Sequence, residues 1–234
     1  MPPALPLHRL RDYPKGTLMP ELSISDQIVL LGLGEDGVLE RPYDGRLDYA
    51  IAGASLLDLS FQNRIDTDPN RLFIISADAT GNPLLDSVLH QINSGPPNQP
   101  ISYWISEIAR YALVLRQQII EDLTDRQIIQ REAGRRLIVL KSEKFPPTDP
   151  QVVRDVQRKL IDTLLSDEIP DPETVALIGL ARASRLLELL LPREYLDRVE
   201  TRVEQLARMD LIGMSVNRTL DEIQAAVALA VPGL

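Results

Sequence analysis

The sequence predicts a mainly α-helical protein with a single domain built around one buried helix. Residues 48–65 contain no proline and are apolar on most of the helix circumference, which is typical of a helix in the middle of a fold. Apolar residues recur with helical period through most of the remaining chain. The length of 234 residues suffices for one large core. We therefore expect a helical domain over residues 21–234, preceded by an extended, proline-rich arm over residues 1–20.

The predicted central helix changes character along its length. Asp48 is a suitable N-cap, because its carboxylate can accept hydrogen bonds from the first free backbone amides. The first half then carries mostly alanine and glycine, whereas the second half carries leucine and Phe61. Gly53 lies in the helix interior, where glycine costs about 1 kcal/mol relative to alanine. We interpret this glycine as a point of close packing against another segment.

The other segments are predicted from apolar spacing and from helix start signals. Proline directly after aspartate marks two helix starts, at Asp149 and Asp171. Glycine-rich and proline-rich stretches separate the segments. Outside the central helix, a short β-branched and aromatic run occupies residues 71–76, and helices are expected over residues 21–33, 83–92, 102–126, 150–166, 171–191, 192–209 and 220–231.

Residues 127–140 change period and predict a β-hairpin. Two apolar stretches flank a glycine-containing loop that is basic in an otherwise acidic chain. Its basic side chains would meet anionic lipid heads at about 1 kcal/mol each, or its strands would pair with a second subunit, or it would fold onto its own body. We favour pairing with a second subunit. The residues expected to make the membrane or oligomer contact are Ile128, Ile129, Arg131, Arg135, Arg136 and Leu137.

Composition excludes several classes of function. The net charge of −9 argues against binding nucleic acid or an anionic membrane through the overall field of the protein. Any contact with phosphate would have to be local and made by a few arginines. The chain has no cysteine, so disulfides, thiolate zinc sites and thiol catalysis are excluded. No apolar run approaches the roughly 20 residues of a membrane span, and no secretion signal is recognisable, so we expect a cytoplasmic protein.

The residue types needed for catalysis are poorly represented. The two histidines, His8 and His90, lie in different predicted segments and form no metal-binding pair. The Gly-x-Ser-x-Gly pattern of serine hydrolases is absent. Carboxylates are numerous but alternate with arginine, as on a solvated helix face. We therefore expect a protein that is not an enzyme and that binds no metal or cofactor.

The order of several motifs resembles the Golgi phosphoprotein 3 family. The resemblance covers about residues 20–230, and it is the combination of motifs that is specific. The motifs are Ile28–Leu33, Ala50–Leu59 followed by Asn63–Ile65, Asn82–Leu89, Trp104-Ile105, and Leu177–Ser184 with Leu187-Glu188. The resemblance implies a largely helical domain with a buried central helix and a hairpin that projects at residues 127–140.

The resemblance also implies a function and a site. Eukaryotic members bind phosphatidylinositol 4-phosphate at the cytosolic Golgi face and retain glycosyltransferases by linking their tails to a vesicle coat. Their headgroup site uses one tryptophan and three arginines, and their hairpin supports self-association. In this sequence the tryptophan position falls on Tyr43, and the arginine positions fall on Ala52, Leu113 and Arg116. Only Arg116 and, approximately, Tyr43 are retained.

The loss of two arginines weakens the implied site. One arginine contributes about 1–3 kcal/mol to holding a phosphomonoester, which is too little for tight recognition. Arg46 and Arg110 lie near Tyr43 and Arg116 in the sequence and would replace the lost partners. The alternative is that Arg46, Arg110 and Arg116 are ordinary surface residues.

Together these observations predict a divergent, prokaryotic member of the family, because the chain is acidic and its arm carries few basic residues. The expected function is that of a peripheral adaptor on the cytosolic membrane face. It would bind a phosphoinositide-like anionic lipid at Tyr43, Arg46, Arg110 and Arg116. The alternative is a soluble helical scaffold that has lost lipid binding and self-associates, or binds a protein partner, through its hairpin.

Overall fold

The structure is a computed structural model that describes residues 21–33, 37–39, 45–68, 70–132, 144–210 and 214. Within these ranges the fold is mainly helical, with one small antiparallel sheet, and the predicted fold class is confirmed. The predicted arm and the predicted helix 220–231 lie outside the described residues. The elements are α1 (Ile24–Gly32), α2 (Arg46–Phe61), β1 (Ile65–Thr67), β2 (Leu72–Ile74), α3 (Pro83–Ser94), α4 (Ile101–Ala109), α5 (Ala112–Asp125), α6 (Pro150–Leu165), α7 (Pro172–Ala183), α8 (Leu186–Leu190) and α9 (Arg193–Ala207).

Helix α2 is the centre of the fold, as predicted. It packs against α1, α3, α4, α5 and α7, and every residue from Ala50 to Leu59 is buried. The helix begins two residues earlier than predicted and ends at Phe61, four residues earlier than predicted. The assignment of Asp48 as the N-cap was wrong, because the cap is Gly45, whose φ of +72° places it in the left-handed region. Asp48 lies in the first turn instead, where a negative charge stabilises the positive end of the helix.

A buried carboxylate joins α1 to the core. Asp58 accepts hydrogen bonds from the backbone amides of Ile24 (2.7 Å) and Ser25 (3.1 Å) and from the Ser25 hydroxyl (2.6 Å). These bonds satisfy amides in the first turn of α1, which have no partner within the helix. Ser23 and Asp26 complete that end with a reciprocal capping box. Burial raises the pKa of Asp58 to about 6, against the opposing effect of these hydrogen bonds.

Two helices that the sequence predicts as continuous are broken. The predicted helix 102–126 is divided into α4 and α5 at Arg110 and Tyr111, and the predicted helix 171–191 is divided into α7 and α8 at Arg185. No proline lies at either break. Ile108, Ala112 and Leu115 are all buried, so the apolar spacing continues across the first break and gives no signal of it.

The predicted hairpin at residues 127–140 is only partly described. Antiparallel bridges join Ile129 to Pro147 and Glu132 to Lys144, so the outgoing arm pairs with residues beyond the predicted end of the hairpin. Residues 133–143 lie outside the described residues. Among the described residues, the regular sheet consists of β1 and β2, which pair antiparallel in the register Ile65 to Ile74, Asp66 to Phe73 and Thr67 to Leu72. In the part of the chain that the structure describes, no helix has the length and apolar character to cross a bilayer.

Candidate functional site

The N-terminal end of α2 brings together charged residues of α2 and α5 and the C-terminal end of α7. Arg46 and Asp48 lie in the first turn of α2, and Arg116 comes from α5. The Arg116 Nη1 atom lies 3.5 Å from the Asp48 Oδ1 atom. Arg46 Nη1 donates a 3.2 Å hydrogen bond to the carbonyl oxygen of Ala183, the last residue of α7. Two of the predicted site residues, Arg46 and Arg116, are therefore positioned at one end of the central helix.

Both of these arginines are buried, which excludes their interpretation as ordinary surface residues. Arg46 is 7% exposed and Arg116 is 5% exposed. An arginine is rarely buried unless its charge is compensated. Arg46 has part of that compensation from the C-terminal end of α7, where the helix dipole favours a positive charge. Arg116 has part of it from Asp48, whose side chain is 42% exposed.

Arg110 occupies the rim of the same region. Its side chain is 72% exposed and lies 3.5 Å from Glu107 on the preceding turn. Burial and the Asp48 carboxylate raise the pKa of Tyr49, and the positive charge of Arg110 opposes that rise. Arg110 is therefore close enough to the first turn of α2 to influence it electrostatically. Its exposed position leaves it accessible to a ligand that approaches from solvent.

The helix end itself favours an anion. The first backbone amides of a helix point outward and carry the positive end of the helix dipole. Gly45 caps α2 without a side-chain hydrogen bond. The described part of this region thus combines three guanidinium groups, two carboxylates and a helix N-terminus. The guanidinium groups and the helix N-terminus are features that bind phosphate in proteins, whereas the two carboxylates oppose an anion.

The remaining positions implied by the resemblance differ in their exposure to solvent. Tyr43 lies outside the described residues. Ala52 is fully buried in α2, so an arginine at this position would have no access to solvent without rearrangement. Leu113 is 65% exposed at the start of α5, so the surface has an apolar side chain where the resemblance places an arginine.

Of the residues predicted for the hairpin contact, some are buried, one is exposed and the others lie outside the described residues. Ile128 and Ile129 are 6% and 1% exposed and belong to the core of the chain itself. Their burial removes them from any membrane or subunit contact in the described structure. Arg131 is exposed, with its guanidinium carbon 5.8 Å from the centre of the Phe145 ring. Arg135, Arg136 and Leu137 lie outside the described residues.

A second, acidic depression lies near the opposite end of α2. It has a volume of about 280 Å³ and is lined by the N-terminal ends of α1 and α3 and by one face of α5. Two of its lining residues, Asp26 and Asp122, each pair with Arg126 at 2.8 Å. No local pattern predicts the pairing with Asp26, because Asp26 lies 100 residues from Arg126. Among the described residues, no group of three or more His, Asp or Glu side chains is placed to hold a metal ion.

The fold and the site together define a mainly helical domain in which two buried arginines lie at the N-terminal, positive end of the central helix. Comparison with known protein families matches residues 24–223 to the family described as Golgi phosphoprotein 3 (GPP34). The match spans most of the chain, and the protein belongs to this family. The resemblance seen in the sequence is confirmed, while the prokaryotic origin stays a prediction.

Proposed function

We propose that the protein is a non-enzymatic adaptor that binds the anionic headgroup of a phosphoinositide-like lipid at the N-terminal end of α2. This binding would place it peripherally on the cytosolic face of a membrane. The observation that carries the proposal is that two buried arginines lie at the first turn of α2, Arg46 within that turn and Arg116 against its Asp48. Membership of the Golgi phosphoprotein 3 family supports the same assignment.

The geometry around Arg116 suits reversible anion binding. Asp48 holds the Arg116 side chain in a fixed direction across 3.5 Å, which is longer than an optimal charge-assisted hydrogen bond. The Asp48 carboxylate is 42% exposed, so it can turn toward solvent at small energetic cost when a phosphate arrives. The phosphate would then take the place of the carboxylate beside Arg116. Arg46 and the exposed Arg110 would supply the further positive charge that a phosphomonoester requires.

The role of each arginine differs. Arg46 is bound to α7 and contributes mainly a fixed positive charge, because its Nη1 atom already donates to Ala183. Arg116 is the residue expected to contact the phosphate. Arg110, on the rim, is expected to increase the rate at which an anionic surface is found. Tyr43 is proposed as the aromatic side of the site on the resemblance alone.

Vesicle flotation tests the proposal. Neutral phosphatidylcholine vesicles would be compared with vesicles that also contain phosphatidylinositol 4-phosphate, and with vesicles that contain phosphatidylserine. The wild type should float only with anionic vesicles, and most strongly with the phosphoinositide. Arg116→Gln should weaken binding by about 10–100-fold, the effect of losing one charge-assisted contact.

A matched control is Arg71→Gln. Arg71 is exposed, pairs with Asp68 and lies in the β1–β2 hairpin that follows the far end of α2. This variant removes the same charge from the chain, so its binding should match that of the wild type. Thermal unfolding would confirm that Arg116→Gln is folded. Binding that is equal in Arg116→Gln and the wild type, or no preference for anionic vesicles, would refute the proposed site.

A second candidate function is self-association through the hairpin. The supporting observation is the pair of antiparallel bridges at Ile129–Pro147 and Glu132–Lys144, which begin a two-stranded ladder at the edge of the helical core. A strand edge of this kind can pair with a second copy of the chain. Light scattering on the full chain and on a variant with residues 134–142 replaced by a short Gly-Asn turn tests this function. An unchanged molar mass would remove the hairpin from any role in assembly.

A further inference from the structure

The corner between α4 and α5 exposes three large apolar side chains within four residues. Tyr111 is 56% exposed, Leu113 is 65% exposed and Val114 is 57% exposed. Further along α5, the apolar residues Leu115, Ile119 and Leu123 are buried, as expected for a helix that packs on a core. Clustered exposed apolar side chains commonly mark a surface that contacts another molecule.

This corner is continuous with the proposed headgroup site. Leu113 precedes Arg116 by three residues, so the two side chains lie on the same side of α5, one turn apart. Arg110 directly precedes the corner and influences Tyr49 in the first turn of α2. The exposed apolar residues and Arg110 therefore lie beside the buried Arg116, and these five residues are defined here as the membrane corner (Arg110, Tyr111, Leu113, Val114 and Arg116).

We infer that the membrane corner inserts Leu113 and Val114 into the interfacial layer of an anionic bilayer while Arg116 holds a headgroup behind them. This inference rests on the proposed function and adds the way in which the protein contacts the lipid surface. Charge complementarity favours a bilayer as the occupant, because the 72% exposed Arg110 side chain stands directly beside the apolar residues. Tyr111 has the combination of apolar ring and polar hydroxyl that is enriched at membrane interfaces.

The inference also accounts for the leucine at position 113, which by itself is unfavourable for binding an anion. Leu113 stands where the resemblance places a headgroup arginine, so the chain has less charge for an anionic ligand at this position. An inserted leucine supplies affinity through burial of apolar surface, a contribution that needs no positive charge on the chain. Affinity for membranes would thus come from two weaker contributions, the Arg116 contact and the inserted side chains.

Two binding measurements separate this inference from the proposed function. The first uses vesicles of phosphatidylcholine with phosphatidylinositol 4-phosphate, and the second uses the soluble headgroup glycerophosphoinositol 4-phosphate in calorimetry. The double variant Leu113→Ser, Val114→Ser changes only exposed side chains, so it should fold normally. It should bind vesicles about tenfold more weakly and bind the soluble headgroup like the wild type. Arg116→Gln should weaken both interactions.

A spectroscopic measurement reports insertion directly. The natural Trp104 is 3% exposed, so an indole introduced by Leu113→Trp would give a separate, solvent-exposed emission. On anionic vesicles this emission should shift to shorter wavelength and should be quenched by lipids brominated near the headgroup. The control is Ile169→Trp in the loop before α7, where the side chain is 84% exposed. This position lies about one helix length from Ala183, the residue at the far end of α7 that contacts Arg46. Its emission should not change.

The outcomes distinguish the two ideas. Vesicle binding that is unaltered in Leu113→Ser, Val114→Ser, with no emission shift in Leu113→Trp, overturns the insertion and leaves the patch to a protein partner. If the wild type does not bind the soluble headgroup, the headgroup site is overturned. Insertion is still supported if the wild type binds phosphatidylserine vesicles and Leu113→Ser, Val114→Ser weakens that binding. A wild type that binds neither vesicles nor headgroup overturns both.

Discussion

Asp58 of α2 and Ser25 of α1 are joined by two hydrogen bonds, from the Ser25 amide at 3.1 Å and from the Ser25 hydroxyl at 2.6 Å. The bonds cross from the central helix to the first helix and are buried on both sides. Because burial raises the pKa of Asp58 to about 6, the protonation of this carboxyl changes within an accessible pH range. The contact between α1 and α2 should therefore depend on pH.

The pH dependence has a definite sign. The folded protein binds the Asp58 proton more tightly than the unfolded chain does, whose pKa is near the ordinary value of 3.8. The stability from this proton is fully present below the unfolded pKa and is lost as the pH rises through about 6. The shift in the pKa of Asp58 corresponds to about 3 kcal/mol in the free energy of unfolding. Urea unfolding from about pH 4.5 to pH 7 should show a decline in the wild type that is smaller in Asp58→Asn.

Asp26 must be considered with Asp58, because burial also raises the pKa of Asp26, and the charge of Asp26 raises the pKa of Asp58. Asp26→Asn should retain most of the pH dependence that Asp58→Asn removes, since Arg126 opposes the rise at Asp26. Equal slopes for the wild type and Asp58→Asn would contradict the assignment of the titration to Asp58.

Replacing Arg126 should destabilise the protein more at neutral pH than at acidic pH. Arg126 donates to Asp26 and Asp122 and also to the carbonyl oxygen of Glu21. Arg126→Gln leaves the Asp26 carboxylate buried with less compensation, at a cost of about 1–3 kcal/mol near pH 7. Burial raises the pKa of Asp26, so its protonation at acidic pH relieves that cost and the loss should shrink as the pH falls.

The control for this prediction is Arg208→Gln on α9. Arg208 is 75% exposed and pairs with Glu204 at 3.8 Å, so its loss should cost less than about 1 kcal/mol at either pH. Chemical unfolding of both variants at the two pH values gives the comparison. A loss in Arg126→Gln that is the same at both pH values would mean that Asp26 is not the group left uncompensated.

Gly37→Ala should destabilise the protein more than Gly81→Ala, although both glycines have positive φ. A Cβ at Gly37 (φ +73°) would lie 2.3 Å from the backbone nitrogen of Pro146, whereas a Cβ at Gly81 (φ +85°) would meet nothing within 4 Å. Gly81→Ala therefore has only the backbone strain, about 1–2 kcal/mol. Gly37→Ala should cost about 1–3 kcal/mol more, because the segment at Phe145 must move.

The Gly37 comparison is measured by urea unfolding at one pH. The same contact includes a 2.7 Å hydrogen bond from the Phe145 amide to the Gly37 carbonyl oxygen, which the displacement would lengthen. If the two alanine variants lose the same stability, then the close approach to Pro146 does not contribute and only the φ angle matters.

Shortening a buried leucine side chain of α2 should destabilise the protein strongly. Leu56 is fully buried, and Leu56→Ala should cost about 2–5 kcal/mol through lost apolar contact and the cavity left behind. Leu165→Ala, at a 51% exposed position in the last turn of α6, removes the same atoms and should cost less than about 1 kcal/mol. Denaturant midpoints with unchanged slopes give both values. Similar losses in the two variants would contradict the central position of α2.

The parts of the fold that the sequence predicted are those determined by local pattern. The central helix was predicted because its apolar residues cover most of the circumference, and the starts of α6 and α7 follow from Asp-Pro pairs. The break at Arg110 and Tyr111 was missed because buried apolar residues continue in helical period on both sides. The N-cap at Gly45 was missed because Asp48 satisfies the usual sequence preference equally well.

The candidate site depended on information that local pattern does not contain. Arg46 and Arg116 lie 70 positions apart, and only the packing of α5 on α2 brings them to one place. The family resemblance indicated Arg116, and the proximity of Arg46 to Tyr43 in the sequence indicated Arg46. The burial of both, the Asp48 partner and the Ala183 carbonyl required the structure. The same applies to the exposed corner, since Tyr111, Leu113 and Val114 have the composition of a buried helix face.

The complete burial of α2 between Ala50 and Leu59 has a consequence for hydrogen exchange. Amide hydrogens in this stretch can reach solvent only when the domain opens as a whole, so their exchange rates report global stability. A headgroup bound at Arg46 and Arg116 lowers the population of the open state. Exchange should therefore slow at Leu59 as much as near the first turn, and the far end of the helix would record occupancy of a site that it does not touch.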